Sequence, residues 1–518
     1  MTSASVLFLL LSATQPAHAE GARYLIISPR DYAEDLQVLA DWKTRKGMLA
    51  RVVTTEEAGS SQAEIEAYVQ NAVATWDPPP EYLLMGAGLG TLTMATTEGY
   101  YTDIPYASVD DDLFAELIVG RFPAENRAEV MTMVNKTLQY ERTPIVDDPF
   151  FYQSAALLMW LDGDDDDICS YYGDANWVAG LLERAGFTDI YVDACDWSDD
   201  YYHCHAYDTF EAMLNEGLGW AGTHGVVGGN CDWPGYPVPP EDLHNGPMLP
   251  ILAGYSCQTV GSQYCYGERW LAAGSPTELI GAVAYVGQSR SCSYCAHWRS
   301  ALRRGFWGYL FEDSEPTDIV TFGEAVEAGR LRYYEEFRTS NQYLASIAYG
   351  DPELNIWTTV PAAPEVSAPP ILPRGATTFS VRVSREGVPR AGALVCVMSD
   401  QGTYAWDKTG ADGSVTFEVD TTADEGLYLT VTGRDLIPHE GTIAVYTSSA
   451  TPVDTGEAPD DSDEPDVDTG EYRPPSLEVG GRCGCSNARA TWAPMTLFLL
   501  PLWLRRRTTG AHVARRSA

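Results

Sequence analysis

Tyr24-Leu25-Ile26-Ile27-Ser28 opens the stretch of chain that decides the fold. The run has no charge and reads as a buried strand, and it is followed by apolar residues at helical spacing around Leu36 to Lys46, with Gly47 as a stop. The pattern then repeats. Arg51-Val52-Val53-Thr54, a helical segment over about 61–76 and Tyr82-Leu83-Leu84-Met85 before Gly86 complete the alternation. Apolar runs of strand length separated by helices predict parallel strands with crossover connections, because helices cover both faces of such a sheet.

A second set begins after Asp148. It comprises Ala155 to Leu161, a helix near 174–185, Ile190 to Asp193, a helix near 208–216, Leu249 to Gly254 and Gly281 to Gly287. Two α/β sheets, or one divided sheet, are therefore expected over residues 20–360, as an N-terminal subdomain (20–143) and a second subdomain (144–360). After Pro361 the runs become short and alternating: Thr377 to Ser384, Leu394 to Met398, Val415 to Val419, Leu427 to Thr432 and Thr442 to Tyr446. Turn clusters such as Ala411-Asp412-Gly413 separate them, which predicts a small immunoglobulin-like β-sandwich over 361–448. It holds no cluster of acid, base and nucleophile, so its expected role is packing or spacing.

Both ends of the chain read as addresses. Ser5-Val6-Leu7-Phe8-Leu9-Leu10-Leu11 followed by Ala17-His18-Ala19 has the form of a signal peptide over 1–19. Residues 449–480 form an acidic linker in which Val-Asp-Thr-Gly-Glu occurs at 453–457 and again at 467–471, and little in it can bury apolar surface. In the tail, 481–518, Cys483-Gly484-Cys485 precedes an apolar run, 491–504, that ends at Arg505-Arg506-Arg507. That run is short of the roughly 20 residues a span needs and contains two prolines, so it reads as a sorting and processing segment. The positive-inside rule then leaves the bulk of the chain outside the cell.

The formal charge of −40 excludes nucleic acid and anionic lipid as partners. It also invites a hard cation. Asp110 and Asp112, with Asp164 and Asp166, offer oxygen ligands for structural calcium, although neither stretch has EF-hand spacing and both also read as solvated acidic loops. Nine cysteines lie before the tail, which fits an oxidising compartment; with Cys257 free, eight are left to pair, unless Cys396 is simply a buried strand residue. Zinc is disfavoured. His203, His205, His224, Cys204 and Cys231 lack the paired ligand spacing of zinc sites.

Three apolar runs end in reactive residues: Ala155 to Leu161 in Asp162, the run through Gly222-Thr223 in His224, and Met248 to Tyr255 two residues before Cys257. Ligands of open α/β sheets bind beyond the carboxyl ends of strands, so this placement predicts a thiol nucleophile and an imidazole base in one crevice. The backbone N–H groups of Gly225 and Cys257 are candidate oxyanion donors. Gly254-Tyr255-Ser256-Cys257-Gln258 lacks the closing glycine of a serine nucleophile elbow, and no H-E-x-x-H occurs.

At these residues the chain resembles the gingipain-like cysteine peptidases, family C25 of the caspase-like clan. The resemblance is carried by Tyr24 to Ile27, Asp41-Trp42-Lys43 through Lys46-Gly47, Tyr82 to Leu84, Tyr101-Thr102-Asp103 and Val119-Gly120-Arg121-Phe122. Gly222 to Gly225, Ser256-Cys257, Gly281 to Ala284 and Gly350-Asp351-Pro352-Glu353-Leu354 extend it. It implies Cys257 as nucleophile, His224 as catalytic histidine, Asp162 as supporting acid, and the backbone of Gly225 and Cys257 at the oxyanion. It also implies Tyr294 beside the substrate pocket, with Asp167 and Asp174 as candidates for its acid. The tail resembles the sorting signal of myxobacterial surface proteins, which implies a partner in the cell-envelope sorting machinery. The expectation is thus a secreted or surface-linked cysteine endopeptidase acting on proteins or peptides, with no cofactor required for the chemistry. The alternative is a catalytically inactive surface or adhesion protein that retains the fold.

Overall fold

The computed structural model describes residues 21–110, 112–160, 171–195, 204–225, 238–290, 296–313 and 318–446. Ten strands form one sheet: β1 (Tyr24–Ser28), β2 (Ala50–Thr54), β3 (Tyr82–Met85), β4 (Ile118–Arg121), β5 (Ser154–Trp160), β6 (Asp189–Cys195), β7 (Trp220–His224), β8 (Ile251–Tyr255), β9 (Ala284–Gln288) and β10 (Ser346–Tyr349). Their spatial order is β2-β1-β3-β4-β10-β9-β8-β7-β5-β6. Every neighbouring pair is parallel except β9 with β10, where Tyr285 faces Tyr349 and Gln288 faces Ser346. Two parallel halves of five strands therefore abut along one antiparallel seam. Their carboxyl ends point to opposite edges.

The alternatives of two sheets or one divided sheet resolve into a single continuous sheet. β10, which falls in the sequence range of the second subdomain, completes the first half by pairing with β4 at Tyr349 and Arg121. The reversal at β10 aligns the backbone groups of two halves that share no crossover helix, which no local pattern encodes.

The longer helices are α1 (Arg30–Arg45), α2 (Gln62–Thr75), α3 (Arg127–Glu141), α4 (Tyr171–Ala185), α5 (Ala206–Glu216), α6 (Ala296–Gly308) and α7 (Phe322–Phe337). Local chemistry sets several of their ends. Ser61 with Glu64, and Thr321 with Glu324, form capping boxes at the starts of α2 and α7. Gly217 closes α5 in the left-handed region at φ 110°, where a side chain would be strained.

Several motifs behind the family resemblance serve the fold. Lys43 and Lys46 of α1, Glu141 of α3 and the Asp351 to Glu353 loop meet in a wholly buried ionic cluster. Lys43 Nζ lies 2.7 Å from Glu141, 2.6 Å from Asp351 and 2.7 Å from Glu353, while Lys46 pairs with Glu141 and, at 2.7 Å, with Glu353. Two ammonium groups among three carboxylates offset the cost of burying each charge alone. Arg121 similarly grips Asp103 with two hydrogen bonds, of 2.9 and 2.7 Å, in the interior.

A second hydrophobic core, including Phe379, Val381, Val395, Val397, Phe417, Val431 and Ile443, lies between two sheets of strands after residue 361. The expected runs all appear as strands, within Ala376–Arg385, Leu394–Met398, Ser414–Asp420, Gly426–Gly433 and Leu436–Tyr446. The sandwich rests against α1 through Arg45, 3.1 Å from Glu440, against the end of α3 through Arg142, which donates to Glu440 at 2.6 and 2.8 Å, and against the residue before β1 through Arg23, stacked 4.0 Å from the Trp406 ring. Cys396 is a buried, free strand cysteine at this contact. It is the buried strand residue that breaks the even count of eight. Among the described residues, Cys195 is bonded to Cys204, and Cys265 is also in a disulfide.

Candidate active site

His224 is the last residue of β7 and lies between Met159 of β5 and Tyr255 of β8 in register. Cys257 follows β8 by two residues. The adjacent parallel strands thus bring the imidazole and a half-buried, reduced thiol to one sheet edge, as their strand-end positions predict. The N–H of Gly225 donates to the Tyr255 carbonyl at 3.2 Å. That group, expected at the oxyanion, is here committed to the ladder, because the parallel pairing continues one residue past His224.

Two helices complete the site. α4 supplies Asp174 from its first turn, where the positive end of the helix dipole favours a carboxylate. α6 supplies Arg299 and Arg303 four residues apart on one face, with Phe306 and Trp307 packed on Trp220 of β7 at ring separations of 6.5 and 5.1 Å. Gly222 makes the approach possible. A Cβ there would stand 2.9 Å from Leu157 and 3.6 Å from the Arg303 guanidinium.

Asp174 Oδ2 lies 3.4 Å from His224 Nδ1 and 2.7 Å from Arg303 Nε, and all three side chains are 0% exposed. Asp174, a pocket candidate by resemblance, is instead sealed in the interior behind the imidazole, since the turn that starts α4 points its carboxylate at β7 and α6. Arg299 Nη2 donates to Cys257 Sγ at 2.9 Å, so a guanidinium meets the sulfur itself. Burial pushes the His224 pKa down to about 3, helped by the Arg303 and Arg299 charges and opposed by Asp174. The imidazole is neutral at pH 7. Burial also lowers the Arg303 pKa, against the pull of Asp174.

Asp162, Asp164, Asp166, Asp167 and Tyr294 lie outside the described residues, as do Cys292 and Cys295. Asp110 and Asp112 are exposed and come together with Glu116, with one oxygen of each within 4.8 Å of the others. Their carboxylates already accept backbone N–H groups: Asp110 from Asp112 at 3.3 Å, Asp112 from Phe114 at 2.6 Å and Glu116 from Val109 at 2.7 Å. These hydrogen bonds tie the loop together, and Glu116 is the acid that the spacing of Asp110 and Asp112 did not reveal.

Sequence reasoning missed Arg299 and Arg303. The signal was available in Arg299-Ser300-Ala301-Leu302-Arg303, two cations at helical spacing on the stripe that also carries Phe306. Charged residues on the apolar stripe of a helix are buried at a cost and mark a partner inside.

The family model for peptidase family C25 matches residues 17–357. The chain belongs to peptidase family C25. Among curated relatives, gingipain R2 of Porphyromonas gingivalis is 25% identical over 81% of this chain and 56% of its own length. Lys-gingipain of the same organism is 23% identical over 76% of this chain and 24% of its own. The chain therefore spans about half the length, or less, of these relatives. Among solved structures, the Arg-specific cysteine proteinase gingipain R superposes with a TM-score of 0.72 at 21% identity, covering 83% of this chain and 99% of that one. The complex of the pro- and mature domains of a Porphyromonas gingivalis gingipain gives the same TM-score over 82% of this C25 chain. These likenesses show the caspase-like α/β fold of the C25 chain. No helix among its described residues is long and apolar enough to cross a membrane.

Proposed function

We propose that this C25 chain is an exported, surface-linked cysteine endopeptidase that cleaves proteins or peptides with Cys257. The reading rests on one observation: a reduced thiol and a neutral imidazole stand at the ends of adjacent parallel strands, with a carboxylate behind the imidazole. In the first step His224 Nε2 takes the thiol proton as the sulfur attacks the scissile carbonyl carbon. The tetrahedral adduct collapses to a thioester, and the same proton passes to the leaving amine. Water, deprotonated by His224, then hydrolyses the thioester and returns the thiol.

Asp174 acts as the orienting acid. Its contact with Nδ1 favours a proton on that nitrogen and leaves Nε2 as the basic one. Asp162 is the acid that the resemblance implies, and Tyr294 with Asp167 the pocket residues. The Cys257 N–H serves the oxyanion; the Gly225 N–H joins it on releasing Tyr255. Export and surface attachment rest on the 1–19 and 481–518 segments, and structural calcium on Asp110, Asp112, Asp164 and Asp166.

The test is a peptide-library digest by the full exported chain beside Cys257→Ala, under reducing conditions with calcium. Cleavage by the native protein and none by the variant is the expected result. Equal cleavage by both, or none by either, removes the enzymatic reading and leaves the inactive surface protein.

A further inference from the structure

Arg299 takes no part in the proton transfers between Cys257 and His224, yet its guanidinium touches the reactive sulfur. Its Nη2 lies 2.9 Å from Cys257 Sγ, and its side chain is 2% exposed, so solvent screens the interaction little. Among the described residues, the other titratable groups of the site divide their charges clearly. His224, from β7, is uncharged at neutral pH; Arg303, one turn further along α6, is opposed by Asp174 of α4 at 2.7 Å; Tyr255 of β8 holds its proton because burial raises its pKa. A thiolate needs a nearby cation, which is commonly an imidazolium. Here the imidazole does not supply it.

We propose that Arg299 is the cation that stabilises the Cys257 sulfur as an anion, in the resting protein and again when the acyl group leaves. This deepens the peptidase reading and rests on it for its use in catalysis. The thiolate fraction of the resting protein has released its proton to solvent; a turnover starts from the thiol, whose proton passes to His224 Nε2 during attack and from there to the leaving amine. The guanidinium keeps its own protons throughout, because its basicity is far above that of any partner in the site. The thiolate of the deacylation step is held in the same way until His224 returns its proton.

Alkylation by iodoacetamide reads the sulfur without needing peptide cleavage. The full chain is alkylated at pH 6 and pH 9.5, and the peptide containing Cys257 is quantified by mass spectrometry. An ordinary thiol gains roughly three-hundredfold in rate between these pH values as it ionises. A sulfur held by Arg299 is expected to gain less than about thirtyfold. Arg299→Gln should slow alkylation on the order of tenfold at pH 6 and less than about twofold at pH 9.5, where an ordinary thiol is mostly ionised. Arg299→Lys should restore most of the pH 6 rate. His224→Gln should leave the native ratio below about thirtyfold.

A native ratio near three-hundredfold overturns the proposal. So does an Arg299→Gln variant that is unchanged, or equally slow at both pH values, which marks a packing role. A three-hundredfold ratio in His224→Gln assigns the charge to the imidazole and also refutes it. The native and His224→Gln measurements stand even where Arg299→Gln fails to fold. Failure of the parent reading is recognised separately, by peptide cleavage that survives Cys257→Ala.

Discussion

Replacing Asp174 by Asn keeps the shape of the side chain and removes its charge, and it separates an acid that orients the imidazole from an acid that selects substrate. In the native protein the carboxylate lies 2.7 Å from Arg303 Nε and 3.4 Å from His224 Nδ1, with none of the three exposed. Removing one partner of a buried ion pair strands the other charge and costs about 3–5 kcal/mol. That is a large share of the roughly 5–15 kcal/mol that holds a native domain together. Catalysis should suffer independently. An imidazole that loses its orienting acid forfeits much of a general base contribution of about 10²–10⁴ in kcat, while KM stays nearly constant because Asp174 is sealed from substrate. Urea unfolding and steady-state peptide hydrolysis read the two effects. Arg303→Met in the Asp174→Asn background should recover more than about 2 kcal/mol, since no stranded charge is left, without restoring kcat. A stability loss below about 1 kcal/mol refutes the buried-pair argument. A loss confined to KM, and only for substrates with Arg or Lys before the scissile bond, would place Asp174 in the pocket instead.

Lys43→Met removes the cation that meets Glu141, Asp351 and Glu353, and thermal or urea unfolding should register a loss of about 3–5 kcal/mol. Glu268 contributes to stability with the opposite sign from a carboxylate of lowered pKa. Burial raises its pKa to about 8, with Glu125 and Glu129 adding to the shift and the Tyr264 N–H opposing it, so its contribution is complete below pH 4.5 and lost as pH climbs through 8. Glu268→Gln should therefore gain a few kcal/mol relative to the native protein at pH 8.5 and nothing at pH 4.5, as read by unfolding at the two pH values. His224 has a folded pKa of about 3 against an ordinary 6.5, so the native protein should lose stability as pH falls from 6.5 toward 3, and His224→Gln should flatten that limb in acid titrations. Opening the Cys195–Cys204 disulfide with Cys195→Ser removes a loop closed across 9 positions and should cost about 2.5 kcal/mol in unfolding under non-reducing conditions.

Much of the site was legible because strand ends announce themselves. Uncharged runs such as Leu252 to Tyr255 must be buried, and their termini must emerge at the sheet edge, so the positions of His224 and Cys257 followed from local pattern. The sandwich was legible for the same reason, its period of two showing at Phe379, Val381 and Val383. Asp174 could be picked out as an acid near the site but not given its partner, because a residue in the first turn of α4 meets β7 and α6 only after packing. Arg299 and Arg303 escaped altogether. Their place on the apolar stripe of a helix signals a buried partner, but which group they meet is known only once the elements covering that stripe are.

Sequence alone thus determined the element types, the division into a mixed α/β part and a β-sandwich, and the placement of His224 and Cys257 at the ends of strands. These depend on near neighbours in the chain: hydrophobic period, turn residues and helix caps. Tertiary structure decided the antiparallel seam that joins the halves, the burial of Lys43 and Lys46 among three carboxylates, and the charges that face the site. The physical reason is the range of the interactions. Hydrophobic patterning is written over a few residues, whereas an ion pair such as Asp174 with Arg303 joins positions far apart in the chain and acquires its strength only when folding removes both from water.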